Sequence, residues 1–230
     1  MSAMTPATSP TERNVRAELL HAAVVILNED GPDALQTRKI AGAAGTSTMA
    51  VYTHFGGMSG LIAAVADEGL RQFDAAMTMP STADPVADLM ATGIAYRRYA
   101  IERPHMYRLM FGSTSAHGIN APAHDVLTLT LAEINDHYPS FAHVVRGVHR
   151  SMLAGRIAAG SPSDDATVVA IAAQFWASIH GFVMLELAGY YGAQGSAVGP
   201  VLDALTTNLL ISLGDSPERV RKSQRLAVRR

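Results

Sequence analysis

Apolar residues recur along the chain at three- and four-residue spacing, which predicts helices from one end to the other. The first runs from Asn14 to Asn28, with Val15, Leu19, Ala22, Ala23, Ile26 and Leu27 along one side, and Gly31-Pro32 ends it. Two short helices follow, from Thr37 to about Ala44 and from Ser47 to Phe55, then a long one from Leu61 to about Met77. Beyond the connector Pro80 to Pro85 the spacing returns from Val86 to Glu102. It breaks at Arg103-Pro104 and resumes from Met106 to Phe111. Ser113 to Pro122 reads as a loop. Further helices are expected over Ala123 to His137, Phe141 to Ala159, Ala166 to Tyr191 and Val201 to Leu213, with a turn at Gly192 to Pro200. No segment has the period of a strand and no repeat is evident, so the expected class is all-α.

The two short helices form the most informative stretch, Gln36 to Phe55. Ile40, Ala41 and Ala44 share one face of the first helix, and Gly45 stands where a left-handed turn is wanted. Ser47 offers an N-cap for the second, whose inner side is Ala50, Val51 and Phe55. Its outer side carries Thr48, Met49, Tyr52, Thr53 and His54, rich in donors and free of negative charge. A helix, a tight turn and a second helix with such a face is the pattern of major-groove readers, although helical hairpins without that role share it.

The wording of the stretch carries a resemblance. From Leu35 to Leu61, the residues Arg38, Ile40-Ala41, Ala44-Gly45, Ser47, Val51-Tyr52 and His54-Phe55 resemble the N-terminal domain of the TetR family of transcriptional repressors. Two later segments extend it: Tyr96 to Pro104 with Tyr107 to Gly112, and Trp176, His180 and Gly181 ahead of Leu185-Glu186-Leu187. These are similar to the Trp-His-Gly subgroup of that family. Two departures stand out. Met58 occupies a position where the family commonly has a phosphate-binding Lys, and Gln36 replaces the usual Ser or Thr cap.

The resemblance implies a helix-turn-helix DNA-binding domain over residues 12–58 and a larger ligand-binding and dimerisation domain over 59–214. Residues 1–11 and 215–230 are then tails. It implies a homodimer formed through the last two long helices, bound to an inverted-repeat operator on double-stranded DNA and released by a small, largely apolar effector. Thr37, Arg38, Ser47, Thr48, Met49, Tyr52, Thr53 and His54 are the expected DNA contacts, and Arg13 and Arg16 lie close enough in sequence to approach the backbone. Tyr96, Tyr99, Met106, Tyr107, Met110, Phe111, Met152, Phe175, Trp176 and His180 are the expected ligand contacts, His180 supplying a polar handle. Each of these also suits plain core. The alternative reading is a helical small-molecule binding protein with weak or no DNA binding.

Composition narrows the field further. A chain of 230 residues that is 48% hydrophobic and 17% charged suits a globular helical protein. The formal net charge is −2, so any attraction to DNA must be local. The basic cluster Arg219, Arg221, Lys222, Arg225, Arg229 and Arg230 is expected to be a solvated, disordered tail. There is no cysteine, and Met1 to Pro10 has no apolar run of the secretory kind, so a cytoplasmic location is expected.

Val168 to Gly192 has the length of a membrane span, but Gln174, His180 and Glu186 interrupt it, which favours a core or dimer helix and no membrane. Glu102-x-x-His105 has the spacing of half a di-metal site, but a second copy is missing and Pro104 intervenes. His143 and His149 lack helical i, i+4 spacing. With no nucleophile elbow, phosphate loop or paired carboxylates, neither a cofactor nor an enzyme is expected.

Overall fold

The computed structural model describes residues 14–111 and 125–230, and among these every regular element is helical. In chain order they are α1 (Val15–Asp30), α2 (Thr37–Ala43), α3 (Thr48–Phe55), α4 (Met58–Met77), α5 (Pro85–Glu102) and α6 (Pro104–Phe111). Then come α7 (Leu131–His137), α8 (Pro139–Leu153), α9 (Asp165–Leu187), α10 (Ala204–Ser212) and α11 (Pro217–Ala227). The expected loop from Ser113 to Pro122 lies outside the described residues, as do residues 1–11 and Arg13.

Local chemistry sets most boundaries. Asn14 accepts the Ala17 amide to start α1, and the amide of Gly31 returns to Leu27 O to end it. Asp84 accepts from Val86 and Ala87 at 3.1 and 3.0 Å, with Pro85 in the first turn of α5. Thr130 and Glu133 form a reciprocal capping box on α7.

Several boundaries differ from expectation. Met58-Ser59-Gly60 is the first turn of α4 rather than a loop. The helix expected from Ala123 splits into a 3₁₀ turn, Val126–Thr128, and α7, because Asp125 and Thr130 each cap a new start. α8 stops at Leu153 instead of Ala159, and α9 stops at Leu187 instead of Tyr191. The last long helix begins earlier than Val201, with a π-helical segment, Val198–Asp203, containing Pro200, which has no N–H for an α-type bond.

The largest correction is at the C-terminus. Residues 217–227 are not a disordered tail but α11, which packs on α5 and α10. Val220, Ser223 and Ala227 form its buried stripe, while Arg219, Arg221, Lys222 and Arg225 face solvent. Polar bonds fix it in place. The buried Arg156 guanidinium meets Asp215 at 2.6 Å and Asp84 at 3.0 Å, and also donates to Ser223. Ser223 donates to Asp84 at 2.7 Å, and Arg230 pairs with Asp88.

Two apolar clusters make the core. One joins α1–α4 to α5, α6 and the second half of α9; the other joins α5, α7, α8, the first half of α9, α10 and α11. α6 seats on α4 at Gly69, where a Cβ would lie 2.5 Å from the Met106 sulfur and 2.9 Å from that of Met110.

Removing Arg156 leaves Asp84 without its cation and the buried Asp215 with only the exposed Arg219 at 3.8 Å. Arg156→Ala is expected to cost about 3–5 kcal/mol, the range for breaking one side of a buried ion pair. Urea unfolding measures it, and Arg156→Lys should recover only part of the loss because it lacks the planar fork.

Candidate DNA-reading surface and candidate ligand site

The reader is built by burying one side of two short helices. Ile40 and Ala41 of α2, Ala44 in the turn and Val51 of α3 are all buried. Gly45 takes φ +60°, and the amide of Thr46 returns to Ala41 O at 2.9 Å to close the turn. With Val51 inside, the helical period turns Thr48, Met49, Tyr52, Thr53 and His54 to solvent. Met49 is 66% exposed and Tyr52 56%, unusual for side chains of this size in a well-packed domain. Arg38 and Ser47 are exposed as well, and Thr37 is half-buried at the start of α2.

Details refine the expected roles. Ser47 holds the N-cap position of α3 but its hydroxyl makes no cap bond. Thr53 donates its hydroxyl to Met49 O at 3.1 Å, so its oxygen remains as an acceptor. Arg16 is exposed and lies over the Phe55 ring at 4.9 Å, a contact that braces α1 on α3. The α3–α4 junction needs Gly60, since a Cβ there would stand 1.9 Å from Phe55 O. Nothing in the sequence pattern alone signals that approach.

In the C-terminal part the expected ligand residues divide. Tyr96, Tyr107 and His180 meet: Tyr107 Oη lies 2.7 Å from His180 Nδ1 and 2.8 Å from Tyr96 Oη, and Tyr96 Oη lies 3.1 Å from Nδ1. The Trp176 ring packs beside them, its centroid 5.8 Å from that of His180. A donor order that fits the short contacts runs from Tyr96 to Tyr107 and from Tyr107 to Nδ1 of a neutral His180. Burial supports it, holding the His180 pKa below its ordinary value and pushing that of Tyr96 up to about 12. Phe111 packs on Tyr107 and His180 at centroid distances of 5.1 and 5.6 Å. Tyr99 sits beside Phe73 and donates to Gly69 O at 3.1 Å, while Met106 and Met110 fill the Gly69 seat.

Phe175 and Met152 belong to the other apolar cluster, so they do not join His180 as expected. On α9 Phe175 points away from Trp176 and His180, about a hundred degrees round the helix from its neighbour. A cavity of about 90 Å³ lies on that side, among α5, α8, α9, the π segment and α11. Of the ten expected ligand residues, only Tyr96 and Phe175 line it. Its other walls include Leu89, Ile179, Asp203 and Gln224, which the sequence reading passed over. Phe175 and Ile179 at i, i+4 are the signal that was available.

Glu102 and His105 do not converge on a metal site. Glu102 pairs with Arg103, and the His105 ring lies against Gly31. Among the described residues no group of three His, Asp or Glu side chains is placed to hold a metal ion.

A buried-backed reader helix presented beside a larger helical body defines a helix-turn-helix transcriptional regulator. Comparison makes this specific. Residues 19–65 match the family described as bacterial regulatory proteins of the tetR family, and residues 89–209, over half of the chain, match the tetracyclin repressor-like C-terminal domain. The chain belongs to the TetR family of DNA-binding transcriptional regulators and is not an enzyme. It is 25% identical to an uncharacterised HTH-type transcriptional regulator of Mycobacterium tuberculosis, over 89% of this chain and 82% of the other. A protein of unknown function from Rhodococcus sp. RHA1 superposes with a TM-score of 0.68 at 26% identity, over 90% of this chain and 100% of the other. RolR, solved with resorcinol, shares the fold with a TM-score of 0.60 at 16% identity, over 94% of each chain.

The neutral His180 has a consequence for stability. The unfolded chain takes up this proton near pH 6.5, the folded protein only at lower pH, so between the two the unfolded state binds more protons. This contribution is present above the unfolded pKa and is lost as pH falls through the folded one. Wild-type stability is therefore expected to fall on acidification below about pH 6.5 more steeply than that of His180→Gln, as read from urea unfolding at several pH values.

Proposed function

We propose that this chain is a homodimeric repressor, acting in the cytoplasm, that leaves an inverted-repeat operator when a small, largely apolar effector binds its C-terminal helices. The observation that carries the reading is the outer face of α3, where Met49 and Tyr52 stand exposed over the buried Val51. In the groove, Arg38, Thr48 and Met49 reach base edges, with Met49 packing on a thymine methyl. Thr37, Ser47, Tyr52, Thr53 and His54 meet phosphates and sugars. The N-terminal amides of α4 serve the phosphate that Met58 has no charge to bind.

Dimerisation through α9 and α10 is supported by what they leave uncovered. Ala166, Ala170, Gln174, Ala177 and Leu185 of α9 are exposed, as are Leu205 and Ile211 of α10. Small residues on α9 let a partner helix approach closely, and a four-helix bundle would cover both apolar faces. Such a pairing also explains a helix of mean hydropathy 1.7 that is long enough to cross a membrane by length and composition alone. A single reader buries little DNA surface, so two are needed for useful affinity.

Family membership supports the effector, as does RolR, a protein of the same fold solved with resorcinol. The coupling runs through Tyr96, which borders the cavity and bonds Tyr107 of α6. α6 in turn seats on α4, so a ligand against Tyr96 tilts α4 and changes the reader spacing. A shift of a few ångströms is enough to spoil simultaneous contact with half-sites about one helical turn apart.

Selection of bound duplexes from a random DNA pool tests the reading, and an enriched inverted repeat is the expected result. No enrichment even at low salt would sink it. On that operator Arg38→Ala is expected to cost about 1–3 kcal/mol, while Met49→Ala should relax discrimination at thymine positions more than it lowers affinity. Uniform weakening across operator variants by Met49→Ala would count against its place at the base edges.

A further inference from the structure

The cavity beneath α11 has apolar walls and a polar end that offers acceptors. Leu89 of α5, Val144 of α8, and Phe175 and Ile179 of α9 supply hydrocarbon and an aromatic face. At the polar end Asp203, the last residue of the π segment, meets Gln224 of α11. The Gln224 side-chain amide carries both an N–H₂ that can face the carboxylate and a carbonyl oxygen that can face a cation. Thr92 commits its hydroxyl hydrogen to Asp88 O at 3.1 Å and presents a lone pair. Among the described residues the lining holds no lysine or arginine to neutralise Asp203.

We propose that this cavity is the effector site and that it takes a compact, largely apolar amine, whose ammonium group binds Asp203 and the Gln224 carbonyl while its hydrocarbon body fills the space against Phe175 and Ile179. The proposal rests on the reading of the C-terminal helices as the effector-binding part of a regulator. Three features select this class. A half-buried carboxylate in a lining without a cation gains most from a ligand cation that brings several donors. Burial already raises the Asp203 pKa, the cost that an ammonium would relieve. Size sets the third limit. At about 90 Å³ the space is smaller than the roughly 150 Å³ apolar void that admits benzene, which confines the occupant to a short chain and admits a single ring only if α11 shifts outward.

Gln224, Ala227 and Val228 wall the cavity from α11, and α11 is fixed by Ser223 and Arg230 to Asp84 and Asp88 around the start of α5. Tyr96 closes the opposite side and leads to α6.

Isothermal titration calorimetry on the full chain tests the proposal, using butylamine, cyclohexylamine and benzylamine, each beside the alcohol of the same skeleton. At least one amine is expected to bind saturably and at least about tenfold tighter than its alcohol. Asp203→Asn should abolish that preference. Gly93→Leu should abolish binding of both, because Gly93 lines the cavity and a Cβ on it meets nothing within 4 Å. Thermal melts confirm that each variant is folded. No saturable amine binding, equal affinity for amine and alcohol, or a preference that survives Asp203→Asn overturns the proposal. Duplex selection on the same protein without ligand separates the two readings. An enriched operator with no amine bound removes the amine site and leaves the regulator, whereas amine binding without DNA enrichment supports the site and removes the regulator.

Discussion

The seat of α6 on α4 is the contact on which the rest of this molecule depends. At Gly69 the backbone of α4 has no side chain to hold a neighbour away, and the sulfurs of Met106 and Met110 occupy the space where a Cβ would stand. Tyr99 reaches from α5 to donate to the carbonyl of the same glycine. The start of α6 also bears on the other half of the reader scaffold, with the His105 ring against Gly31 at the end of α1. Both helices that carry α2 and α3 therefore rest on one short element. In an interior packed to crystal-like density, α6 cannot move without moving them.

α6 is in turn held by α9. Tyr107 bonds His180, and Arg108 donates to the carbonyl of Leu187 at 2.7 Å, satisfying a group that the end of α9 leaves open. The Tyr96–Tyr107–His180 chain is cooperative, since each hydroxyl gives one hydrogen and the direction of one bond sets that of the next. Displacing Tyr96 breaks its bonds to Tyr107 and His180 and weakens the one that remains between those two. Next to it, Arg97 and Glu186 pair at 2.7 Å, and Glu186 also accepts the Gly195 amide, so α5, α9 and the following connector move as a unit.

The reader was legible because short-range rules decide it. Helical period, a turn glycine and an N-cap position are enough to put Val51 inside and Met49 and Tyr52 outside, and the structure places them so. The ligand region was legible only in part. Tyr96, Tyr107, Trp176 and His180 do converge, but Tyr96, Tyr107 and His180 bond one another, and of the four only Tyr96 borders the cavity. Aromatic spacing marks who will be buried; it does not separate a packed network from the wall of a void. That distinction depends on how α9 is rotated between two apolar clusters, which no local pattern in an apolar helix determines.

α11 shows the same limit from the other side. Its composition is so polar that a reading of apolar periodicity gives it no reason to fold against anything, and Val220 and Ala227 alone bury little surface. What holds it is Arg156, Asp84, Asp215 and Ser223, drawn from segments up to 139 residues apart. Buried ions of this kind are a weak source of net stability, because desolvation consumes most of the attraction. Their directionality is another matter. A planar guanidinium shared by two carboxylates and a hydroxyl accepts few geometries, so it fixes where α11 lies even where it adds little to how tightly. That position brings Gln224 to Asp203 and closes the cavity. A plain apolar contact would have held the helix as firmly while leaving it free to slide along α5, and the polar end of the cavity would then not exist.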